Sequence, residues 1–279
     1  MSKKAFIHIG AAKCASSLIQ GILNEQDSRE IVACRYMDAL CKVLMTYSPV
    51  FDFSEYYTRQ MFQSIKDQLP DEDILFSCEN LFGVHTHREN CFGESRKVLE
   101  FLFEDYDLKV MFFVRRQDTY LEGIYNQDVK RGEIRVFEEY VSEAMVDNLD
   151  WLKVAENYSC FDLTVLPFEK KVIQTGGYRD FIDGLYQWLG VKVEVESLPH
   201  INPSLSMEAM EVQRFANYML GHQEAYDLSL WLEKHCPKKP EDKHKIMHDN
   251  TDLLKRYEEN NKKLFEEFMP DFSGSYYWS

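Results

Sequence analysis

Basic residues are scarce in this chain. Lys and Arg number 32 against 47 Asp and Glu over 279 residues, a formal net charge of −15 with a pI near 5.0. Nucleic acid and anionic membrane surfaces select a basic footprint, so the shortfall argues against both as partners. Paired cysteine spacing is missing too. The seven cysteines (Cys14, Cys34, Cys41, Cys78, Cys91, Cys160, Cys236) are an odd set with no C-x-x-C, which speaks against a disulfide frame or a zinc site and for reduced thiols. No apolar run is long enough to span a bilayer. The start, MSKKAFIHIG, meets polar and glycine positions too soon for a signal-peptide core. Repeats and low-complexity tracts are also absent. These absences predict a cytoplasmic protein with no membrane span and no nucleic-acid partner. What is present is ordinary globular material, 45% hydrophobic and 28% charged, in a chain long enough for a sizeable core.

The chain alternates strand and helix patterns. Ala5–Ile9, Ile74–Ser77, Leu108–Val114 and Leu163–Leu166 are short apolar runs with polar or turn borders, as buried parallel strands should be. Between them, Glu55–Gln68, Glu94–Phe103 and Tyr120–Arg131 read as amphipathic helices, the last closed by Lys130, Arg131 and Gly132. This alternation predicts an α/β domain with a parallel sheet and crossover helices. After Asn202 the pattern is helical: Met207–Leu220, Ala225–His235 and Asn250–Phe268, with Ser206 as N-cap of the first. Met207, Met210, Phe215 and Met219 read as a core-facing stripe of that helix. The mixed-sign run CPKKPEDKHK, Cys236 to Lys245, reads as a solvated loop.

The stretch FIHIGAAKCASSLIQ, Phe6 to Gln20, joins a strand to a helix start through small residues and one lysine. Unsatisfied N–H groups at a helix start bind phosphate, and small residues let the backbone come close. A nucleotide triphosphatase loop would place its lysine directly before a metal-binding hydroxyl. Here Lys13 follows Gly10 by three residues and precedes Cys14, so that hydroxyl is missing from its place. The pattern disfavours a kinase or ATPase and suits transfer of a less charged group, such as sulfuryl.

Aligned on Lys13, the loop resembles the 5′-phosphosulfate loop of sulfotransferases, P-K-T-G-[ST]-[ST]. Ala12 stands for proline, Cys14 for threonine and Ala15 for glycine, with Ser16 and Ser17 matching. VMFFVRRQDTYLEGIYNQDVKRG, Val110 to Gly132, resembles the family's 3′-phosphate motif, a buried strand ending in arginine and then a helix. Arg115 takes the arginine position, and Gly123, eight residues on, stands where the family usually has serine. The run Y-L-E-x-x-Y-N-Q is similar to that of bacterial carbohydrate-type members. ILFSCENL resembles the strand ending in S-x-E, FDLTVLPFEK a later strand, and INPSLSMEAMEVQRFAN the N-x-S-L-S segment.

The resemblance implies a P-loop-like α/β fold: a parallel sheet flanked by helices with a helical C-terminal segment. It implies one domain over 1–279, with an α/β nucleotide-binding core at 1–200 and a helical extension at 201–279. It implies transfer of sulfuryl from 3′-phosphoadenosine 5′-phosphosulfate to an acceptor hydroxyl, leaving adenosine 3′,5′-bisphosphate and requiring no metal. Lys13 would stabilise charge on the leaving phosphate. Glu79 would take the acceptor proton, with His85 or His87 in reserve and Ser77 and Asn80 as helpers. Ala12, Lys13, Cys14, Ala15, Ser16, Ser17, Arg115 and Gly123 would hold the nucleotide. The acidic balance points to a neutral or weakly charged acceptor, a small glycan, glycolipid or metabolite. The substitutions at Ala15 and Gly123 leave open a second reading, a nucleotide-binding protein without turnover. His8, alternating with apolar neighbours in a strand, reads as a core histidine.

Overall fold

The computed structural model describes residues 3–14, 19, 32–33, 56–84, 86, 90–144, 146–168, 184–185, 187–190, 204–238 and 251–278. Among these residues the sheet has five parallel strands: β1 (Lys4–Gly10), β2 (Val32–Ala33), β3 (Ile74–Ser77), β4 (Asp107–Val114) and β5 (Asp162–Pro167). Their order is β2-β3-β1-β4-β5. All described pairings are parallel, with Ala5 opposite Ile74 and Leu108, and Val110 opposite Leu163. β1, β3 and β4 were legible because a strand buried on both faces must be apolar nearly throughout, and Ala5–Ile9, Ile74–Phe76 and Val110–Val114 are all buried.

Helices flank this sheet: α1 (Tyr56–Lys66), α2 (Phe92–Leu102), α3 (Gln117–Lys130), α4 (Phe137–Ser142) and α5 (Trp151–Tyr158). Three more form the C-terminal part: α6 (Met207–Met219), α7 (His222–His235) and α8 (Thr251–Phe268). The chain therefore has the P-loop-like α/β fold with a helical C-terminal segment. One apolar cluster joins β1, β3 and β4 to Leu99, Leu121, Trp151 and Phe265. A second packs α6 and α7 onto α3 through Tyr125, Val129, Leu205, Met210 and Leu232. Among the described residues no helix is long and apolar enough to cross a membrane.

The expected core stripe of α6 is corrected. Met210 is buried, but Phe215 is 65% exposed and Met219 60%. The buried face is instead Ala209, Met210, Gln213 and Ala216. Small side chains there let α6 approach α7, and the amide nitrogen of Gln213 is bonded in the interface: Nε2 donates to Ala225 O (2.8 Å) and Asn217 Oδ1 (2.7 Å), while its buried Oε1 has no hydrogen-bond partner among the described residues. A polar residue at the seam shifts the buried face away from the apolar stripe. The Ser206 cap is as expected, its side chain accepting from Ala209 N.

His8 is fully buried in β1, as a core histidine should be. Its Nδ1 lies 2.8 Å from Ser77 Oγ on the paired strand. Burial, only partly offset by the Gly10 carbonyl, pushes its pKa down to about 4. The unfolded chain takes up this proton near pH 6.5, so between pH 6.5 and 4 the unfolded state binds more protons. The stabilisation is therefore full above pH 6.5 and is lost on acidification, about 2 kcal/mol by pH 5. The urea midpoint should fall less between pH 7 and pH 5 in His8→Gln, whose amide cannot charge. Equal falls in the two proteins would show that His8 does not set the acid limit.

Candidate functional site

In parallel sheets of this kind, ligands sit at the carboxyl edge, where strand order reverses. Here that edge carries the loop after β1, the 3-10 turn Glu79–Phe82 after β3, and Arg115 after β4. The three strands are adjacent, so Lys13, Glu79 and Arg115 are brought to one edge from distant parts of the chain. Gly10 makes the approach possible. Its φ is +125°, and a Cβ there would lie 3.2 Å from the Glu79 carbonyl oxygen and from Phe82 Cβ. The next turn puts Lys13 in the left-handed region, φ 62°, which is uncommon outside glycine and concentrates at functional sites.

Arg115 fixes that turn. Its Nη1 donates to Lys13 O at 3.2 Å, and its own carbonyl accepts from Trp151 Nε1 at 2.7 Å. Trp151 in turn stacks edge-on against Tyr120, ring centroids 5.0 Å apart. Gly123 faces both cationic residues. A Cβ built on it would meet Arg115 Nη1 at 3.1 Å, Lys13 Cβ at 3.3 Å and Lys13 Cγ at 3.4 Å. The bare backbone at Gly123 thus lets Lys13 and Arg115 close on the helix.

Lys13, Arg115 and Gly123 line one small, partly open cavity, together with Glu122, Asn126 and Lys238. Ser204, Leu205, Met207 and Met210 form its C-terminal wall. The exposed acids Glu208, Glu211, Glu224 and Asp227 are not part of that lining. Glu79 does not line this cavity, yet its charge acts on Lys13. Burial, followed by Lys130, pushes the Lys13 amine down to about 8, with Arg115 and Arg131 adding to the effect and Glu79 opposing it. A chain of net charge −15 therefore gathers four cationic residues around one loop.

The run Y-L-E-x-x-Y-N-Q now has a physical reading. Tyr120 and Leu121 are core, and Tyr125 donates to Arg135 O at 2.8 Å. Asn126 clamps the backbone of Leu205, donating to its carbonyl (3.4 Å) and accepting from its N–H (3.3 Å). Gln127 Oε1 accepts from Lys13 Nζ at 3.0 Å. The end of α7 also reaches the cavity. Lys238 N donates to Ser204 O (2.7 Å), and Ser206 N to Cys236 O (3.1 Å). Lys238, which sequence reasoning left in a solvated loop, is exposed but lines the cavity.

The remaining expected residues divide. Ala12 is partly buried beside Lys13, and Cys14 is wholly buried in the core cluster, a packing position. Ser77 bonds His8, and Asn80 Nδ2 lies 4.0 Å from Cys78 Sγ. Ala15, Ser16, Ser17, His85 and His87 lie outside the described residues. Among the described residues no group of three or more His, Cys, Asp or Glu is placed to hold a metal ion.

No protein-family model matches the chain, and no curated protein matches it. Solved structures similar to it include mouse sulfotransferase SULT7A1 complexed with PAP, with 9% identity over 96% of this chain and 85% of that one, TM-score 0.44. The sulfotransferase domain from the curacin biosynthetic pathway has 12% identity over 92% and 98%, TM-score 0.39. A structure of the PezAT toxin–antitoxin system of Streptococcus pneumoniae has 10% identity over 68% and 85%, TM-score 0.30. Two of these three are sulfotransferases, and at such scores the likeness assigns no activity to this chain.

Proposed function

We propose that this chain is a single-domain sulfotransferase, with the core at 1–200 and the helical extension at 201–279. It moves sulfuryl from 3′-phosphoadenosine 5′-phosphosulfate to an acceptor hydroxyl on a small glycan, glycolipid or metabolite. One observation carries the reading: the lysine loop after β1 and the arginine after β4 meet at one cavity, over the bare backbone of Gly123. Two cationic residues from separate strand ends, without a Cβ between them, fit a nucleotide with two separated phosphates. Lys13 and the loop N–H groups would hold the 5′ end and Arg115 the 3′-phosphate. When bound, the donor supplies a sulfuryl group activated by its phosphate leaving group. Lys13 offers a preorganised positive charge, and Glu79, close enough to act on that charge, takes the acceptor proton.

Thermal shifts with adenosine 3′,5′-bisphosphate, AMP and ATP test the two-phosphate site. A ligand at a hundredfold its Kd adds about 2.7 kcal/mol to stability. The bisphosphate should raise Tm most, and Arg115→Ala should reduce its shift to that of AMP. Equal shifts for AMP and bisphosphate in the unmodified protein would remove the 3′-phosphate site and the reading with it. Binding without transfer of labelled sulfuryl to any of a panel of sugars and alcohols would leave the non-catalytic alternative standing.

A further inference from the structure

Gly123 and Gln127 are four residues apart on α3, one above the other on the same face. The Lys13 side chain lies along that face. Its Cβ and Cγ pass 3.3 and 3.4 Å from the Cβ position of Gly123, and its Nζ ends 3.0 Å from Gln127 Oε1. Its backbone is fixed at the start by Arg115 Nη1 on its carbonyl, 3.2 Å. A lysine amine has no acceptor, so the amide oxygen of Gln127, rather than its NH2 group, must face it. We propose that Gln127 is the positioning residue for Lys13, holding the amine at the end of a track across α3 so that its other N–H groups are presented to the cavity.

The chemistry of glutamine suits this task. A free lysine side chain samples many rotamers, and a fixed acceptor removes that freedom before any ligand arrives. A neutral acceptor aligns the amine and leaves its charge for the ligand. A carboxylate would align it equally well but would form an ion pair and compete with an incoming anion. The charged groups that act on the amine are Lys130 of α3, Arg131 just past its end, Arg115 from the end of β4 and Glu79 from beyond β3, and Glu122 of α3 and Lys238 line the same cavity. Lys130 is itself paired with Glu233 of α7 at 2.8 Å. Gln127 therefore adds direction without changing that balance.

The role of Lys13 in this inference rests on the proposed sulfotransferase reading, but the contact can be tested without it. The first measurement is the pH dependence of Lys13 acylation by acetic anhydride, read by peptide mass spectrometry on the full chain. The unmodified protein should show a midpoint near 8, the value its surroundings impose. Gln127→Glu should raise that midpoint by about one unit or more, because a carboxylate in contact favours the ammonium. An unchanged midpoint would overturn the proposal. The second measurement is turnover against binding. Gln127→Ala should lower kcat about tenfold while the Kd of adenosine 3′,5′-bisphosphate stays within about threefold, since misdirection hurts the reacting geometry most. A Kd that rises as much as kcat falls would mark a merely structural role and also overturn it. If the unmodified protein binds no bisphosphate, the sulfotransferase reading fails, and the acylation midpoints alone decide for or against Gln127.

Discussion

Lys13→Ala is expected to lower kcat by about 10²–10³-fold, the loss that follows removal of one preorganised donor aimed at developing charge. The Kd of adenosine 3′,5′-bisphosphate should rise far less, because Arg115 and the loop still hold the product. The pH profile carries a second signature. The charged amine is the working form and its pKa is pushed down to about 8, so turnover should be complete below that value and decline as pH rises through it. An ordinary exposed lysine would hold its charge to about pH 10.4. Lys13→Arg keeps the charge but places a broad, rigid guanidinium where Gly123 and Arg115 leave room for a slender stem, so it should recover only part of the rate. Single-turnover rates with saturating donor separate this loss from binding. A Lys13→Ala protein with near-normal kcat would end the role assigned to the lysine.

The fold was legible where physics leaves one solution. Strands buried on both faces must be apolar, so Ile74–Ser77 was readable to the residue and β1 and β4 to within one residue at either end; β5, buried only at Val165 and Pro167, was readable as closely from its apolar run. The two-residue β2 and the six-residue α4 are too short for a period to emerge, and sequence reading places neither. The face of α6 was misread because apolarity marks what is able to be buried, while Gln213 and two alanines mark what the neighbouring helix admits. The site divides in the same way. Lys13, Arg115 and Gly123 stand at fixed offsets from strand ends, and offsets survive in a linear reading. Gln127 on Lys13 and Asn126 on Leu205 are tertiary pairings across 79 residues or more, Lys238 reaches the cavity beside Ser204 of a separate segment, and no local pattern announces these contacts.

The dipeptide Arg115–Arg116 divides its labour, and its second member supports the second large effect: Asp118→Ala is expected to destabilise the fold by about 3–5 kcal/mol, the usual loss when a buried ion pair is broken on one side. Arg116 and Asp118 are 4% and 3% exposed and form a two-pronged pair, Nε to Oδ1 and Nη2 to Oδ2, both 2.7 Å. Asp118 also accepts from Thr119 N at 2.7 Å in the first turn of α3, where a carboxylate meets the positive end of the helix dipole. Arg116 lies over the Tyr276 ring, 4.2 Å from its centroid, and donates to the Tyr276 carbonyl at 3.2 Å. Gln117, between them, is tied to Leu149 O and to Asn261 of α8. The start of α3 is thereby clamped to the C-terminal residues, and Arg115, one residue earlier, is aimed from a fixed base. Asp118→Ala leaves a guanidinium buried without its counter-ion, and Tm should fall on the order of 2 °C for each kcal/mol in a chain of this size. The double change Arg116→Met with Asp118→Leu should be far milder, because replacing both charges by apolar groups removes the desolvation that the pair had offset. Urea unfolding of the two single variants and the double gives the coupling directly. Additive losses, with the double variant as unstable as the sum of the singles, would show that the pair is not the clamp.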